Sequence, residues 1–263
     1  MRRGIRVVFL AATILAVAAC VSAGLRFPSA KIYPSDTDTK NIHGLLFKPD
    51  NPGPSSPAVV LLHHCGGMTG LVTEDWPSYL SSLGYVVLTI DSYGSRGVQR
   101  CTRKNYFQTR TNMVKDAYGA LEALAKLPYV DGNRVAVIGF SEGANAINQR
   151  IIAFELDRKE ELQFKAAISF YGRCNNMLSY SKDDMPLLQI IPELDVQRAS
   201  TCIMAGKRTD MEYLLLMGAY HSFDDIRSSG RIDSWGNQML YDTAATDKAR
   251  EATKIFLARH LKK

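Results

Sequence analysis

Six short apolar runs separated by longer stretches of helical periodicity occupy most of the chain from residue 57 onward. Parallel strands require crossover connections, so this alternation predicts βαβ units and a mostly parallel sheet. Because the runs are apolar at nearly every position, we expect helices to cover both faces of the sheet. The predicted strands span residues 58–64, 85–91, 134–140, 165–171, 186–192 and 212–218.

The segments around these strands predict helices and one additional strand. A strand antiparallel to the rest is expected at the sheet edge from NIHGLLFKPD, residues 41–50, because the turn NPGPSSP follows it. No repeat, linker or low-complexity tract interrupts the chain, so a single α/β domain is expected over residues 24–263. The predicted helices lie near residues 74–83, 109–127, 142–157 and 242–262.

Residues 1–23 have the features of an export signal. The basic segment MRRGIR precedes the apolar segment VVFLAATILAVAA, which is short for a membrane-spanning helix. The run ends in VAAC, which resembles a lipobox and favours cleavage before a lipidated Cys20, whereas the small residues of VSA offer cleavage after Ala23. We therefore expect an exported protein, in the bacterial periplasm or attached to the membrane as an envelope lipoprotein through Cys20.

The charge of the chain gives no indication of nucleic-acid binding. The formal net charge is +6, and three of the arginines lie in the export signal. Once that signal is set aside, about +3 remains, an ordinary balance for a domain of this size. No basic patch interleaved with aromatic residues is present, so we expect no nucleic-acid partner.

Four cysteines remain besides Cys20, an even number in a compartment that permits oxidation. They predict two disulfides, with four buried free thiols as the alternative. Cys65 and Cys101 each follow one of two successive predicted strands, and Cys174 and Cys202 are interpreted in the same way. This placement favours the pairs Cys65–Cys101 and Cys174–Cys202, although spacing alone does not fix the connectivity.

The pentapeptide GFSEG, residues 139–143, connects the third predicted strand directly to a helix. A turn this tight strains the backbone and presents the serine hydroxyl beyond the sheet edge. Glycines are needed two residues to either side because side chains there would collide with the neighbouring strand and helix. The pattern predicts a nucleophile at Ser141, since a serine that only caps the helix would not explain both glycines.

A serine nucleophile requires a histidine base, expected after it in the chain. Only two histidines follow Ser141. His221 lies shortly after the last predicted strand, where such folds carry the base, whereas His260 lies in the terminal amphipathic helix. We therefore expect His221 to be the base.

The acid that orients this base is expected between the serine and the histidine. The loop after LLQIIP supplies Glu193 and Asp195, and we select Asp195. Asp224 and Asp225 are closer to the histidine in sequence but follow it, so we interpret them as solvated loop charges.

Two backbone amides are needed to bind the oxyanion. Glu142 is expected to supply one, and Cys65 the other, with Gly66 as the next choice in the glycine-containing loop LLHHCGGM. The adjacent His63 and His64 suggest a metal site only weakly, because no further ligand follows at a useful spacing. No metal is therefore expected.

Five ordered blocks, VVLLHHCGGM, GYVVLTIDSYGSRG, VIGFSEGA, PLLQIIPELD and GAYHSFDD, resemble the dienelactone hydrolase family of the α/β-hydrolase fold. The resemblance runs from about residue 41 to the end. It implies an eight-stranded, mostly parallel sheet flanked by helices and a triad of Ser141, Asp195 and His221. It also implies an acyl-enzyme mechanism that needs no cofactor.

The chain departs from the namesake enzymes of this family in three ways. They have a cysteine at the position of Ser141, so this chain resembles the serine-using branch. They also hold a substrate carboxylate with two arginines, whereas here Arg96 lies near the first position and Asp225 stands at the second. Finally, His64 replaces a glycine that is usual in relatives. Because an aspartate replaces one of the two arginines that hold the substrate carboxylate, we do not expect the acidic lactone of the namesake enzymes to be the substrate.

These features together predict an exported serine hydrolase that cleaves a small carboxylic ester, thioester or lactone through an acyl-enzyme on Ser141. The short interval between residues 171 and 186 leaves no room for a large lid. Tyr93, Arg96 and Trp235 are candidates for substrate binding, and Tyr106 and Phe107 are further candidates for the acyl pocket. The alternatives are a peptidase or acyltransferase with the same triad, or a non-catalytic envelope scaffold that binds a ligand.

Overall fold

The computed structural model describes residues 23–32, 36, 39–152, 162–175, 177–181, 185–195 and 199–262. The expected export signal, apart from Ala23, lies outside these residues. Within them, eight strands form one sheet and two short strands form a hairpin. The strands are β1 Ala23–Pro28, β2 Asn41–Phe47, β3 Ser56–Leu62, β4 Val86–Asp91, β5 Val130–Phe140, β6 Ala166–Phe170, β7 Leu187–Pro192, β8 Glu212–Leu216, β9 Arg231–Ile232 and β10 Gln238–Met239.

The sheet has the strand order β1-β2-β4-β3-β5-β6-β7-β8. Strands β3 to β8 pair in parallel, whereas β2 is antiparallel to both of its neighbours, β1 and β4. The prediction of a mostly parallel eight-stranded sheet is confirmed. The predicted antiparallel strand at residue 41 is also present, but its expected position at the edge was wrong. The edge is β1, whose six residues include an arginine and a terminal proline and carry little strand signal.

Five α-helices flank the sheet in the described part of the chain. The helix predicted at 142–157 is α-helical for only five residues and continues as a π-helical turn at Ile147–Ile151. Residues 153–157 of that prediction lie outside the described residues. The fourth helix, between β7 and β8, was not predicted. The helices are α1 Trp76–Ser82, α2 Tyr106–Ala125, α3 Glu142–Ala146, α4 Ala199–Arg208 and α5 Thr243–Leu261.

The core consists of two apolar clusters, one on each face of the sheet. Alternate residues of β3 show this arrangement. Val60 and Leu62 belong to the cluster beneath α2 and α3, whereas Val59 and Leu61 belong to the cluster beneath α1 and α5. All four are fully buried. The continuous apolar runs in the sequence therefore reflect strands covered on both faces, as expected.

The carboxyl ends of the parallel strands converge at one edge of the sheet. There, β5 is followed at once by Ser141, and the loops after β7 and β8 carry Asp195 and His221. His221 also bridges to Met239 of the β9–β10 hairpin, which borders this edge. In the described ranges no large inserted lid covers the edge. None of the helices described there is both long enough and apolar enough to cross a membrane.

Candidate active site

Ser141 occupies a strained turn between β5 and α3. Its backbone has φ 52° and ψ −100°, a conformation that residues other than glycine rarely adopt. The Ser141 amide donates to the Phe170 carbonyl of β6 at 3.0 Å, and the Ser141 carbonyl accepts from Asn145 at 2.9 Å. These two bonds fix the strained conformation, because one ties the serine to the sheet and the other ties it to the first turn of α3.

The two glycines of GFSEG lie where a side chain cannot fit. A Cβ atom on Gly139 would come within 2.4 Å of the Gly143 backbone, at the start of α3. A Cβ atom on Gly143 would come within 2.5 Å of the Leu62 carbonyl oxygen, at the end of β3. Both contacts are with backbone atoms, which cannot move aside cheaply. The collisions with a neighbouring strand and helix are those expected from the sequence.

Ser141, His221 and Asp195 form one continuous chain of hydrogen bonds. His221 Nε2 lies 3.1 Å from Ser141 Oγ, and His221 Nδ1 lies 2.7 Å from Asp195 Oδ2. A carboxylate can only accept, so Nδ1 carries the imidazole proton and Nε2 is free to accept from the serine hydroxyl. All three side chains are buried. The structure thus brings together three predicted residues that are far apart in sequence.

A second buried carboxylate, Asp224, lies behind the imidazole. Its two oxygens accept from Trp76 Nε1 and from the Tyr171 hydroxyl, each at 2.9 Å. The Tyr171 ring packs edge-on against the His221 ring, with centroids 4.7 Å apart. Burial raises the pKa of Asp224 to about 6, and the two donors only partly oppose this effect. Asp224 therefore supports the tyrosine that lies against the imidazole.

The interpretation of Asp224 and Asp225 as solvated loop charges was wrong. Asp224 is 4% exposed and Asp225 is 2% exposed. Asp225 accepts from the Arg227 amide and from the Ser228 hydroxyl, and so caps the short helical turn that follows. Asp224 accepts from donors that are distant in sequence, and such donors leave no pattern near position 224.

The expected oxyanion donors belong to Glu142, which follows Ser141 in the chain, and to Cys65, which lines the same two cavities as Ser141. Glu142 is the first residue of α3, where a backbone N–H has no acceptor within the helix. In the loop after β3, the Gly66 amide donates to His64 Nδ1 at 2.9 Å and is therefore occupied. This leaves Cys65, the first choice from the sequence, as the better donor of the two.

His64 is a neutral residue that shapes this loop. Its Nδ1 accepts from Gly66, so its Nε2 carries the proton and donates to the Thr69 hydroxyl at 2.8 Å. Burial, with smaller contributions from the neighbouring His63 and His221, lowers the pKa of His64 to about 4. Because the imidazole is neutral and both nitrogens have partners, His64 holds the loop in position beside Ser141.

The prediction of the two disulfides Cys65–Cys101 and Cys174–Cys202 is confirmed. The first connects the loop after β3 to the loop after β4, and the Cys101 amide also donates to the Cys65 carbonyl at 3.0 Å. The second links the loop after β6 to α4. Placing Cys202 just after a strand was wrong, because this residue lies within the helix that the sequence pattern did not indicate.

Ser141 borders two cavities. The larger, about 440 Å³, is also lined by His221, and it extends along the β9–β10 hairpin. The smaller, about 380 Å³, extends past Glu142 towards α2. Cys65 and Trp235 line both cavities, so they lie where the two meet beside the serine.

The expected substrate-binding residues lie in different places. Trp235 borders both cavities and Tyr106 borders the smaller one. Tyr93 is 2% exposed and packs edge-on against His63, with ring centroids 4.3 Å apart, so it does not line either cavity. Phe107 is 60% exposed and contacts Arg150 instead, so it also lies outside both cavities.

Arg96 also lies outside both cavities. Its guanidinium forms two hydrogen bonds with the buried Asp116 carboxylate, at 2.7 and 2.8 Å, and a third with the Ser92 carbonyl at 3.0 Å. The expectation that Arg96 binds substrate is therefore corrected. Asp116 accepts from both terminal nitrogens along one edge of the guanidinium, because the buried Asp116 carboxylate requires a charged partner.

Three arginines that sequence reasoning did not single out line the smaller cavity: Arg103, Arg110 and Arg173. Arg110 is buried and pairs with the Glu142 carboxylate at 2.9 and 3.0 Å. The other two guanidinium groups lie near Trp235, each less than 6 Å from a ring centroid. No local signal distinguishes them, because arginines in loops and at helix starts most often face solvent.

A profile of the dienelactone hydrolase family matches residues 42–261. The chain belongs to the dienelactone hydrolase family. The match begins within β2 and ends at the last residue of α5, so it covers strands β3 to β8, nearly all of β2, and every residue of the hydrogen-bonded chain at Ser141. The family recognised from the sequence blocks is thereby confirmed.

Two kinds of curated protein resemble parts of this dienelactone hydrolase family member. Esterase FrsA of Shigella boydii is 30% identical over 162 residues, which is 58% of this chain and 33% of that protein. A probable dipeptidyl-aminopeptidase B of Grosmannia clavigera is 35% identical over 104 residues, which is 36% of this chain and 11% of that protein. The chain thus spans a third or less of the length of these relatives.

Two solved structures share the fold of this chain. A dienelactone hydrolase-like promiscuous phosphotriesterase from metagenomic libraries superposes with a TM-score of 0.66 and 19% identity, covering 91% of this chain and 98% of that one. Ferulic acid esterase from Streptomyces cinnamoneus gives a TM-score of 0.65 and 19% identity, covering 95% and 92%. At such low identity, these similarities establish the architecture.

Proposed function

We propose that this family member is a serine hydrolase that cleaves small carboxylic esters, thioesters or lactones through an acyl-enzyme on Ser141. The observation that carries the proposal is the hydrogen-bonded chain from Ser141 through His221 to Asp195, which begins at a strained turn. Backbone strain of this kind is stored where presentation of a side chain requires it. A serine with only a structural role would need neither the strained turn nor the base.

In the proposed reaction, Ser141 Oγ attacks the acyl carbonyl while His221 Nε2 takes the hydroxyl proton. Asp195 holds the Nδ1–H tautomer and stabilises the imidazolium that forms. The amides of Cys65 and Glu142 donate to the oxyanion of the tetrahedral intermediate. The intermediate collapses when Nε2 returns the proton to the leaving oxygen or sulfur. Water then attacks the acyl-serine by the same route and releases the acid.

A peptidase or acyltransferase would use the same groups. The similarity to a probable dipeptidyl-aminopeptidase B keeps peptide cleavage as the second candidate, although only 104 residues align. Amides demand stronger protonation of the leaving nitrogen than esters do, and Esterase FrsA aligns over more of this chain, 162 residues, than the peptidase does. We therefore favour esters, and product analysis with matched ester and peptide substrates would separate the two.

We also infer that the protein acts outside the cytoplasm. Two disulfides support this location, because such bonds persist in oxidising compartments. Periplasmic release and attachment through a lipidated Cys20 are both consistent with the leader sequence. Mass spectrometry of the mature N-terminus would distinguish them, since lipidation adds a diacylglyceryl group to Cys20, whereas cleavage after Ala23 leaves Gly24 as the first residue.

The function is tested with p-nitrophenyl esters of graded acyl length and with a fluorophosphonate probe. The wild type should hydrolyse short esters and become labelled. Ser141→Ala and His221→Ala should each lower kcat by about 10⁶-fold, and Ser141→Ala should abolish labelling. Ser82→Ala, which changes an exposed serine at the end of α1 outside both cavities, is the matched control and should remain active. A wild type that neither labels nor hydrolyses any ester would favour a ligand-binding scaffold.

A further inference from the structure

The backbone amide of Cys65, one of the two expected oxyanion donors, has no acceptor among the residues that the structure describes. It belongs to the same planar peptide unit as the His64 carbonyl. That carbonyl accepts from the Gly67 amide at 3.0 Å and from His63 Nδ1 at 2.8 Å. Because N–H and C=O point in opposite directions across a trans peptide, these two bonds fix the direction of the Cys65 N–H.

The position of this turn depends on a second loop. The hydrogen bonds of His64 stay within residues 63–69, so they orient the amide without attaching the turn to another segment. Cys101, in the loop after β4, forms a disulfide with Cys65 and donates its amide to the Cys65 carbonyl at 3.0 Å. Gly66 and Gly67 follow Cys65 directly and leave the backbone more conformational freedom than other residues would. The contacts with Cys101 therefore fasten a turn whose own sequence is permissive.

The loop that carries Cys101 is itself firmly held. Cys101 is 1% exposed and belongs to the apolar cluster beneath α2. Earlier in the same loop, Arg96 forms two hydrogen bonds with the buried Asp116 carboxylate of α2. The Val98 amide also donates to the Tyr93 carbonyl at 3.0 Å. Arg96, which does not line either cavity, thus fastens the loop from which Cys101 reaches the turn beside Ser141.

We propose that Cys101 is a positioning residue, whose disulfide holds the Cys65 amide where the oxyanion forms, so that only the oxidised protein is fully active. The inference rests on the proposed function, because it concerns the oxyanion site of that reaction. Breaking the disulfide removes no member of the triad but releases the residue that carries one oxyanion donor. It should therefore slow the chemical step and leave substrate binding nearly unchanged, since this donor acts mainly in the transition state.

The two disulfides differ in their access to a reductant. Cys65 is partly buried and lines both cavities, whereas Cys174 and Cys202 are each 1% exposed and are not among the described residues that line either cavity. A dithiol that enters a cavity can attack the Cys65 sulfur as a thiolate, which breaks the S–S bond and releases Cys101. Its second thiol then displaces Cys65 from the mixed disulfide. Two electrons and two protons pass to the protein, and the dithiol becomes a disulfide.

The first test uses the wild-type protein and dithiothreitol. After graded incubation of the folded protein, gel filtration under nitrogen removes the reductant. One portion is alkylated and its cysteines are mapped by mass spectrometry, while kcat and KM for a short p-nitrophenyl ester are measured on the other. We expect Cys65 and Cys101 to be released before the second pair. As they are released, kcat should fall by about ten- to a hundredfold, KM should change by less than about twofold, and reoxidation should restore kcat.

The second test compares two double variants. Cys65→Ser/Cys101→Ser keeps the backbone amide but removes the disulfide, and Cys174→Ser/Cys202→Ser is the matched control. The two disulfides have similar sequence separations, 36 and 28, so their removal should lower Tm by similar amounts. The first variant should lose kcat as the reduced wild type does, whereas the control should keep kcat within about twofold of the wild type.

A transition-state analogue separates positioning from general loosening of the fold. An alkyl trifluoromethyl ketone forms a tetrahedral adduct with a serine nucleophile and places an oxyanion in the same site. Its inhibition constant should rise in Cys65→Ser/Cys101→Ser by about the factor that kcat/KM falls. In the control variant the inhibition constant should stay near the wild-type value.

Each other outcome has a definite meaning. A wild type that retains its kcat after mapping shows Cys65 and Cys101 reduced would overturn the inference and leave the hydrolase function standing. Equal losses of kcat in the two double variants would do the same, because the effect would then follow from lost stability alone. Release of the second pair first would overturn the assigned access through the cavities. A wild type that hydrolyses no ester in either redox state would overturn both the inference and the function.

Discussion

Asp195 and Asp224 are both buried near the imidazole of His221, but they contact different groups. Asp195 bonds directly to His221 Nδ1, whereas Asp224 bonds to Trp76 and Tyr171 and reaches the imidazole only through the tyrosine ring. One carboxylate therefore faces a group that becomes positively charged during the proposed reaction. The other faces two neutral donors. Burial alone does not identify a functional acid, because the partner decides what the charge can do.

The largest expected difference between the two is catalytic. In Asp195→Asn the amide would donate to Nδ1, which forces the imidazole proton onto Nε2 and removes the acceptor for Ser141. We expect kcat to fall by about 10⁴-fold. Asp224→Asn keeps acceptor and donor positions for Trp76 and Tyr171, so kcat should fall by less than about tenfold. Steady-state kinetics on a short p-nitrophenyl ester, with thermal melts to confirm folding, measures both.

A similar loss of kcat in both variants would contradict the distinction drawn here. It would mean that Asp224 influences the imidazole through Tyr171 as strongly as Asp195 does through a direct hydrogen bond. A double-mutant cycle between Asp224→Asn and Tyr171→Phe would then measure this coupling, since residues that act through one another give non-additive changes.

The next effect concerns stability and carries a definite sign. The pKa of Asp224 is raised by burial from 3.8 to about 6 in the folded state. Between these values the unfolded chain has lost the proton that the folded chain retains, so the free energy of unfolding falls as pH rises through this window. A shift of about two pKa units corresponds to roughly 3 kcal/mol. Above about pH 6 this contribution levels off.

The measurement is urea unfolding of the wild type and Asp224→Asn at several pH values between 3.5 and 7. The difference in unfolding free energy between the two proteins should change by up to roughly 3 kcal/mol across the window, in favour of the variant at the higher pH. Other carboxylates titrate in both proteins and cancel in this difference. A pH-independent difference would show that Asp224 titrates near its ordinary value.

The same two aspartates mark how far sequence reasoning extends. Asp195 could be selected because topology orders the members of a triad along the chain and places each at a strand end. The burial of Asp224 could not be foreseen, since its donors Trp76 and Tyr171 lie 148 and 53 residues away. A carboxylate beside a loop has no local signature that distinguishes a solvated side chain from one enclosed by distant aromatic residues.

The cavities show the same division. The turn at GFSEG could be predicted from the sequence because a side chain at either glycine would collide with an adjacent element. No local sequence pattern indicates which residue an arginine will pair with. Arg96, expected near substrate, is occupied by Asp116 from α2, while Arg103 and Arg173 line a cavity although no motif contains them. Short sequence spacings indicate where the backbone must turn tightly. The partner of a long side chain depends on residues that only the folded chain brings close, so the sequence does not indicate it.

Glu193 provides the smallest and sharpest test, because it was the other acid considered for the triad. Its carboxylate is partly exposed and accepts from the Gly218 amide at 2.8 Å, whereas the partner of His221 Nδ1 is Asp195. Glu193→Gln keeps an acceptor for that amide, so kcat should change by less than about twofold and the free energy of unfolding by less than about 0.5 kcal/mol. Glu193→Ala removes the acceptor and should cost about 1 kcal/mol of stability while kcat stays near the wild-type value. The same ester assay and urea titration report both quantities. Loss of activity in Glu193→Gln comparable to that in Asp195→Asn would transfer the role of orienting acid to Glu193, since only a carboxylate that fixes the imidazole tautomer is sensitive to so small a change.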